Sequence, residues 1–145
     1  MVPVLSDSDH VARHCGDHKC PGGNVQATAF FRRPSELGPS VNWLEYHADC
    51  TDRRQVLMRI VQTLRLKGRS VGVNSWMSIL NVGRARNKVR EESDRRVELA
   101  FVHLPEPIDG SHAEIHGLEV EDEFVGELLA QVAREEVCHP VSSLV

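Results

Sequence analysis

The chain has 145 residues, of which 41% are hydrophobic and 26% charged, and its formal net charge at pH 7 is −4. This length and composition are typical of one globular domain with its own core, and they require no multi-domain interpretation. There is no basic-then-apolar leader, and no apolar run approaches the ~18 residues that a membrane span needs. We expect a soluble, cytoplasmic single domain over residues 1–145, flexible at 1–8 and 139–145, with no membrane partner.

The N-terminal third predicts several short elements. Ser8–His14 is interpreted as a short helix that ends at Gly16, with a strand or a loop as the alternative. Two short strands are expected next, at Gln26–Arg33 and Ser40–His47, because both segments hold aromatic residues and the first is followed by prolines and a glycine.

The polar stretch 14–23 contains two histidines and two cysteines and ends in Pro-Gly-Gly. This composition raises the hypothesis of a structural zinc site with Cys15, His18 and Cys20 as ligands. We favour a surface loop instead, because no second Cys or His pair follows at a finger-like distance. The four cysteines of the chain are scattered, so without a leader they are expected to be reduced thiols.

Two longer segments show the apolar periodicity of amphipathic helices. Thr51–Lys67 places aliphatic residues at helical spacing before Gly68, and Glu121–Val137 has a similar stripe with acidic residues in its first turn. Between them, Val71–Val82 is predicted to hold one long strand, or a strand and a turn. Arg84–Arg96 is predicted to be an exposed helix or a loop that buries little, because it is charged almost throughout.

A β-hairpin with a histidine-rich second strand is predicted after the charged segment Arg84–Arg96. Val97–Leu104 has the composition of a strand, residues 105–110 are dense in turn formers, and residues 111–118 alternate polar with small or apolar side chains. In a strand this alternation puts His112, Glu114 and His116 on one face. We favour an exposed polar sheet face, which is normal in antiparallel sheets, over a working site.

The alternative is that these side chains carry out chemistry. His103 is expected to be a partly buried, hydrogen-bonded histidine, but it can also pair with His112 across the hairpin and join His112, Glu114 and His116 as a catalytic group. Two imidazoles and a carboxylate suit zinc, manganese or iron, so a metal-assisted hydrolase with a divalent metal is one hypothesis. Without a metal, His112 or His116 is the candidate general base, steered by Glu114. No other cofactor is predicted.

Positive and negative charges are concentrated in different segments. From Thr51 to Arg90 there are ten Lys and Arg against one acid, and from Glu106 to Glu136 there are ten acids against one Arg. The basic segment can bind an anionic partner, or the two segments can pair within one chain or between chains. If the partner is a nucleic acid, its phosphates are expected to contact Arg53, Arg59, Arg84, Arg86, Lys88 and Arg90.

Together these elements predict an α+β fold: a single domain with a mostly antiparallel sheet of about five strands and two main amphipathic helices packed on one face. The first functional hypothesis is a non-catalytic binding or assembly component that meets a protein partner, or a second copy of itself, through complementary charges. Nucleic-acid or nucleotide binding through the basic middle segment is the second hypothesis, and the metal-assisted hydrolase is the third. No catalytic motif has both its residues and its context.

Overall fold

The computed structural model describes residues 3–144, which form one antiparallel sheet with helices on both faces. The strands are β1 (His10–Cys15), β2 (Ser40–Trp43), β3 (Trp76–Asn81), β4 (Ala100–His103), β5 (His112–His116) and β6 (His139–Pro140). The α-helices are α1 (Arg53–Leu66), α2 (Val82–Glu92) and α3 (Glu123–Ala133), and short 3-10 turns join several of these elements. The predicted α+β class is confirmed, with one strand more than predicted.

The strand order of the sheet is β4-β5-β2-β1-β3-β6, and every neighbouring pair is antiparallel. The β4–β5 pair is the predicted hairpin. The strand β1, although first in the chain, lies near the centre of the sheet between β2 and β3. Most pairings therefore join segments that are far apart in sequence.

The two main helices lie on opposite faces of the sheet, not on one face as predicted. Successive residues of a strand point to opposite faces, and Val11 belongs to one apolar cluster whereas Ala12 belongs to the other. The helix α1 packs on the cluster with Ala12, Met77 and Ile79, which we call the α1 side. The helices α2 and α3 pack on the cluster with Val11 and Leu80, which we call the α3 side. The strand β3 needs helices on both faces because it carries Leu80 on one face and Met77 and Ile79 on the other.

The helices begin and end at residues suited to these positions. Asp52 caps α1 by accepting a hydrogen bond from the backbone N of Gln55, and Asp122 caps α3 by accepting one from Val125. The chain leaves α1 through Gly68, whose φ of 88° favours glycine. The two amphipathic helices predicted from the sequence are present, α1 with 14 of the 17 predicted residues and α3 with 11 of 17.

Two N-terminal segments have a different conformation from the predicted one. Ser8–His14 contributes to β1 rather than to a helix, because this segment pairs with both β2 and β3. Gln26–Arg33 forms a 3-10 helix over Ala27–Phe30 instead of a strand. This 3-10 helix packs against α3 at Gly126. Because Gly126 has no side chain, the carbonyl oxygen of Ala27 can lie close to it. Packing against α3 overrides the strand preference of the phenylalanines.

The charged stretch after β3 is a helix that buries more than predicted. The sequence interpretation gave Arg84–Arg96 little to bury, but α2 begins two residues earlier and buries Val82, Gly83, Ala85 and Val89. Because these residues are mostly small, α2 can pack closely against its neighbours on the α3 side of the sheet. A narrow stripe of small residues is a weak signal within so many charges.

Both ends of the described chain pack onto the fold. Leu5 and Leu144 are buried, and β6 pairs with the edge of β3. The segments predicted to be flexible, 1–8 and 139–145, also contain residues 1, 2 and 145, which lie outside the described residues.

Gly38 precedes β2 at a point where the backbone touches β5. A Cβ added there overlaps the carbonyl oxygen of Ile115, and a paired strand cannot move aside cheaply. We expect Gly38→Ala to lower the free energy of unfolding by about 1–3 kcal/mol, measured by urea denaturation. Gly72→Ala is the matched control, because its Cβ meets nothing within 4 Å. Equal stability of the two variants would contradict this explanation.

Candidate anion-binding site

A cavity of about 110 Å³ lies on the α1 side of the sheet, beside the last turn of α1. The strands β1 and β2 pair only at Val11–Trp43 and Ala12–Asn42, so they separate where β1 continues along β3. The cavity lies at this separation, next to polar side chains of β2 and β5 and beside Leu64 of α1. Its wall contains three cations and two histidines, namely Arg13, His14, Lys67, Arg69 and His112.

Arg13 reaches from β1 across this separation to β2. Its Nη1 donates a hydrogen bond to the carbonyl oxygen of Ser40 at 2.7 Å, and its Nε donates to that of Ala29 at 2.9 Å. Burial lowers the pKa of the Arg13 guanidinium, but an arginine remains protonated at neutral pH. Within residues 3–144, Arg13 forms no ion pair with a carboxylate. The carboxylate that acts on its charge, Glu36, does so without a direct ion pair, so an anion in the adjoining cavity can supply the missing direct contact.

Arg69 and His14 face the same cavity. Arg69 is exposed and forms no ion pair in the described part of the chain. The pKa of His14 is lowered by burial first, and then by the positive charges of Arg13, Arg69 and Arg65. The Nε2 atom of His14 is buried and has no hydrogen-bond partner among residues 3–144. Such an atom indicates that a partner, such as a water or a ligand, belongs beside it.

Lys67 also lines the cavity, but carboxylates already neutralise its charge. Its Nζ lies 2.9 Å from Oδ2 of Asp109 and 2.5 Å from Oε1 of Glu106. Burial alone lowers the pKa of Lys67, but the hydrogen bonds to Glu106 and Asp109 raise it overall, and the same bond to Lys67 lowers the pKa of Glu106. Asn42 donates to Asp109 at 2.8 Å and so connects the ion pair to β2. Among the described residues, Arg13 and Arg69 are the cavity cations left for a ligand.

His112 contacts Ser40 at the wall of the cavity and is only 5% exposed. Its Nδ1 lies 2.8 Å from the carbonyl oxygen of Leu104, and its Nε2 lies 3.3 Å from Oγ of Ser40. The sequence analysis selected His112 but missed Ser40, which is 72 positions away. No local pattern marks Ser40, because only the pairing of β2 with β5 brings the two residues together.

The predicted alignment of His112, Glu114 and His116 on one face of β5 is present, but the three side chains do not converge. His116 is paired with Glu114, with its Nε2 2.8 Å from Oε1. His112 instead contacts the serine of β2. Among residues 3–144, no three His, Cys, Asp or Glu side chains form a group that can hold a metal ion.

His103 is not part of this arrangement. It pairs with Ala113 and not with His112, the pairing that the hydrolase hypothesis needed, and a shift of one residue puts it on the opposite face of the sheet. Its Nε2 lies 2.8 Å from the carbonyl oxygen of Gly110, and its ring packs against Trp43 and Tyr46. These are the contacts of a partly buried, hydrogen-bonded histidine.

The six cations predicted to contact phosphates all have partners within the chain. Arg84 pairs with Glu135 at 2.6 Å and Arg53 with Glu136 at 3.2 Å, so the basic and acidic segments meet in one chain. The other partners are Asp49 for Arg59, Asp7 for Arg86, Glu92 for Lys88 and Asn87 for Arg90. Exposed ion pairs stabilise the fold by only about 0–1 kcal/mol each. They therefore reduce the positive charge available to a nucleic acid, but a nucleic-acid phosphate can still compete for these cations.

The structure does not assemble the predicted zinc ligands Cys15, His18 and Cys20. Cys15 and Cys20 are buried in the core of the α3 side, whereas His18 is exposed on a 3-10 turn. All four cysteines are free thiols, and Sγ of Cys20 lies 3.6 Å from Sγ of Cys138. A hydrogen bond with Cys20 lowers the pKa of the Cys15 thiol to about 7.

Comparisons of the chain with protein-family models, with curated proteins and with solved structures find no match. In the part of the chain that the structure describes, no helix combines the length and the apolar character needed to cross a membrane. The function therefore has to be inferred from the geometry of the cavity.

Proposed function

We propose that this protein binds a small anion, or a metabolite through one anionic group such as a phosphate, in the cavity beside the end of α1. The observation that carries the proposal is that two arginines of the cavity wall form no ion pair with a carboxylate among residues 3–144: Arg69, which is exposed, and Arg13, whose guanidinium donates to the carbonyl oxygens of Ser40 and Ala29. Leaving a buried charge unpaired is costly. An oxyanion is the partner whose geometry matches the fork of N–H groups on a guanidinium.

The other side chains of the cavity suit the same ligand. Arg69 supplies a second unpaired cation, and the buried Nε2 of His14 supplies a hydrogen-bonding group without a partner in the described chain. Lys67 neutralises the nearby carboxylates of Glu106 and Asp109, which reduces their repulsion of an anion. A cavity of about 110 Å³ is large enough for one anionic group.

Inorganic phosphate at low salt is the simplest probe, with binding measured by isothermal titration calorimetry. We expect Arg13→Met to weaken phosphate binding at least about tenfold, because hydrogen bonds to charged groups contribute about 1.5–3 kcal/mol. Arg32→Met is the matched control, since Arg32 also donates to two backbone carbonyls, those of Glu36 and Leu118, but does not line the cavity. Absence of binding by the unmodified protein, or equal loss in both variants, would contradict the proposal.

The nucleotide hypothesis is a second candidate, because a nucleotide presents the same phosphate group to Arg13 and Arg69. The assembly role stays a prediction: ion pairs such as Arg84–Glu135 and Arg53–Glu136 lie within one chain and leave fewer complementary charges for a partner. We also propose a cytoplasmic location, supported by the free thiols of all four cysteines.

A further inference from the structure

We propose that Ser40 and His112 act as nucleophile and general base in the hydrolysis of a phosphate monoester held in this cavity. The inference rests on the anion-binding function proposed above and adds a reaction to it. Ser40 and His112 both line the cavity, and Nε2 of His112 lies 3.3 Å from Oγ of Ser40. A weak nucleophile such as a serine hydroxyl needs a base at this position to become reactive.

The hydrogen bonds of His112 determine which of its ring nitrogens carries the proton. The carbonyl oxygen of Leu104 can only accept a hydrogen bond, so Nδ1, 2.8 Å away, must be the donor. In the neutral ring, Nε2 then has a free lone pair, and it faces the hydroxyl of Ser40. A nucleophile, a base and a group that orients the base are thus present in series, with a backbone carbonyl as the orienting group. A nucleophile–base distance at the long end of the hydrogen-bond range is common before substrate binds.

The backbone holds both residues on paired strands. In the β2–β5 ladder, Asn42 is opposite His112 and Ser40 is opposite Glu114, so Ser40 and His112 are diagonal neighbours on the α1 side. His112 is almost fully buried, which limits the rotation of its ring. Groups fixed on strands keep their relative positions better than groups on loops.

Two cations of the cavity wall can attract a phosphoryl group. Nη1 of Arg13 donates to the carbonyl oxygen of Ser40 at 2.7 Å, so its positive charge lies close to the backbone of the nucleophilic residue. Arg69 lines the same cavity and forms no ion pair within residues 3–144. Positive groups at this place stabilise the charge on the phosphoryl oxygens in the transition state. The combination favours a phosphate monoester over an uncharged ester.

The reaction takes place in two balanced steps. First, Oγ of Ser40 bonds to phosphorus, its proton passes to Nε2 of His112, and the ester P–O bond breaks as that proton moves to the leaving alcohol. Next, water attacks the phosphoserine phosphorus with His112 taking its proton, and the Ser–O–P bond breaks as Oγ of Ser40 regains a proton. The net change converts a phosphate monoester and water into an alcohol and inorganic phosphate, without an oxidant or reductant.

The test uses p-nitrophenyl phosphate with the unmodified protein and three variants. We expect Ser40→Ala and His112→Gln to lower the rate of p-nitrophenol release at least about 100-fold, the scale of a lost nucleophile or base. His116→Gln is the matched control, because His116 lies on the same face of β5 but outside the cavity wall, and its rate should be unchanged. Mass spectrometry of acid-quenched protein should locate a phosphoryl group on Ser40.

Calorimetry with inorganic phosphate separates the reaction from the binding function. Ser40 is a small, partly buried residue, so Ser40→Ala should fold and still bind phosphate. If the unmodified protein binds phosphate but hydrolyses the ester no faster than Ser40→Ala does, the catalytic inference is overturned and the binding function stands. If the unmodified protein does not bind phosphate, the proposed binding function fails, and the catalytic inference fails with it.

Discussion

Lys67→Met is expected to lower the free energy of unfolding by about 3–5 kcal/mol, measured by urea denaturation at neutral pH. Asp109 is 1% exposed, and its Oδ2 lies 2.9 Å from Nζ of Lys67. Without Lys67, the carboxylate stays buried and loses its counter-ion. Asn42 and Ser111 still donate hydrogen bonds to Asp109, but neutral donors do not cancel its charge.

Lys88→Met is the matched control for this substitution. Lys88 pairs with Glu92 one helical turn away, and Glu92 is half exposed, so we expect a loss below about 1 kcal/mol. Acidification gives a second check. The hydrogen bond from Lys67 lowers the pKa of Glu106 in the folded state, so the contribution of this pair is present above the ordinary carboxyl pKa and is lost as pH falls through the lowered value.

The stability difference between the unmodified protein and Lys67→Met should therefore narrow as the solution is acidified. Two results would count against this explanation of the buried ion pair. One is a Lys67→Met variant as stable as Lys88→Met, and the other is a stability difference that does not change on acidification.

Leu129→Ala is expected to lower the free energy of unfolding by about 2–5 kcal/mol, because it removes buried methyl groups and leaves a cavity in the core. Leu129 lies on α3, is 0% exposed and belongs to the apolar cluster of the α3 side. Chemical denaturation monitored by circular dichroism measures the change.

The control is the same substitution at an exposed position of another helix. Leu66 is 73% exposed at the end of α1, so Leu66→Ala should change stability by no more than about 0.5 kcal/mol. Similar losses at both positions would show that the α3 side is not the close-packed core that the burial of Leu129 indicates.

Sequence analysis could predict the elements whose signals lie within a few neighbouring residues. The predicted stripe of α1 is buried throughout, at Val56, Leu57, Ile60, Val61 and Leu64. The stripe of α3 is buried except at Phe124, which is 56% exposed in the first turn, and at Val137, which is 70% exposed because the helix already ends at Ala133. Local periodicity predicts which residues of a helix face the core, and it is less precise about where the helix stops.

Features that depend on distant contacts were not predictable in the same way. The face of β5 that carries His112 follows from alternation alone, but its register against β4 depends on the exact geometry of the turn. The structure pairs His103 with Ala113, one residue away from the pairing with His112 that the hydrolase hypothesis needed. The placement of α1 and α3 on opposite faces depends on the strand order. That order is set by pairings such as β2 with β5, for which the sequence carries no local signal.

The candidate site shows the same limit. Its wall combines residues from β1, β2, the end of α1 and β5. Arg13 was assigned to a short helix, and a charged residue between Ala12 and Cys15 becomes informative only once that segment is known to be a central strand. Lys67 and Arg69 were recognised as part of the basic segment. The sequence did not show that Lys67 forms ion pairs with Glu106 and Asp109, because these residues are distant from it in the chain.

The central position of β1 has a consequence for biosynthesis. The strand is made first, yet its neighbour β3 gains its outer partner β6 only at residues 139 and 140, and the α1-side core is completed by Val141 and Leu144. The other edge of β2 likewise stays unpaired until β5 has been synthesised. A nascent chain therefore presents unpaired strand edges until nearly the whole domain has left the ribosome. Those edges are the surfaces on which a chaperone, or another nascent chain, can act first.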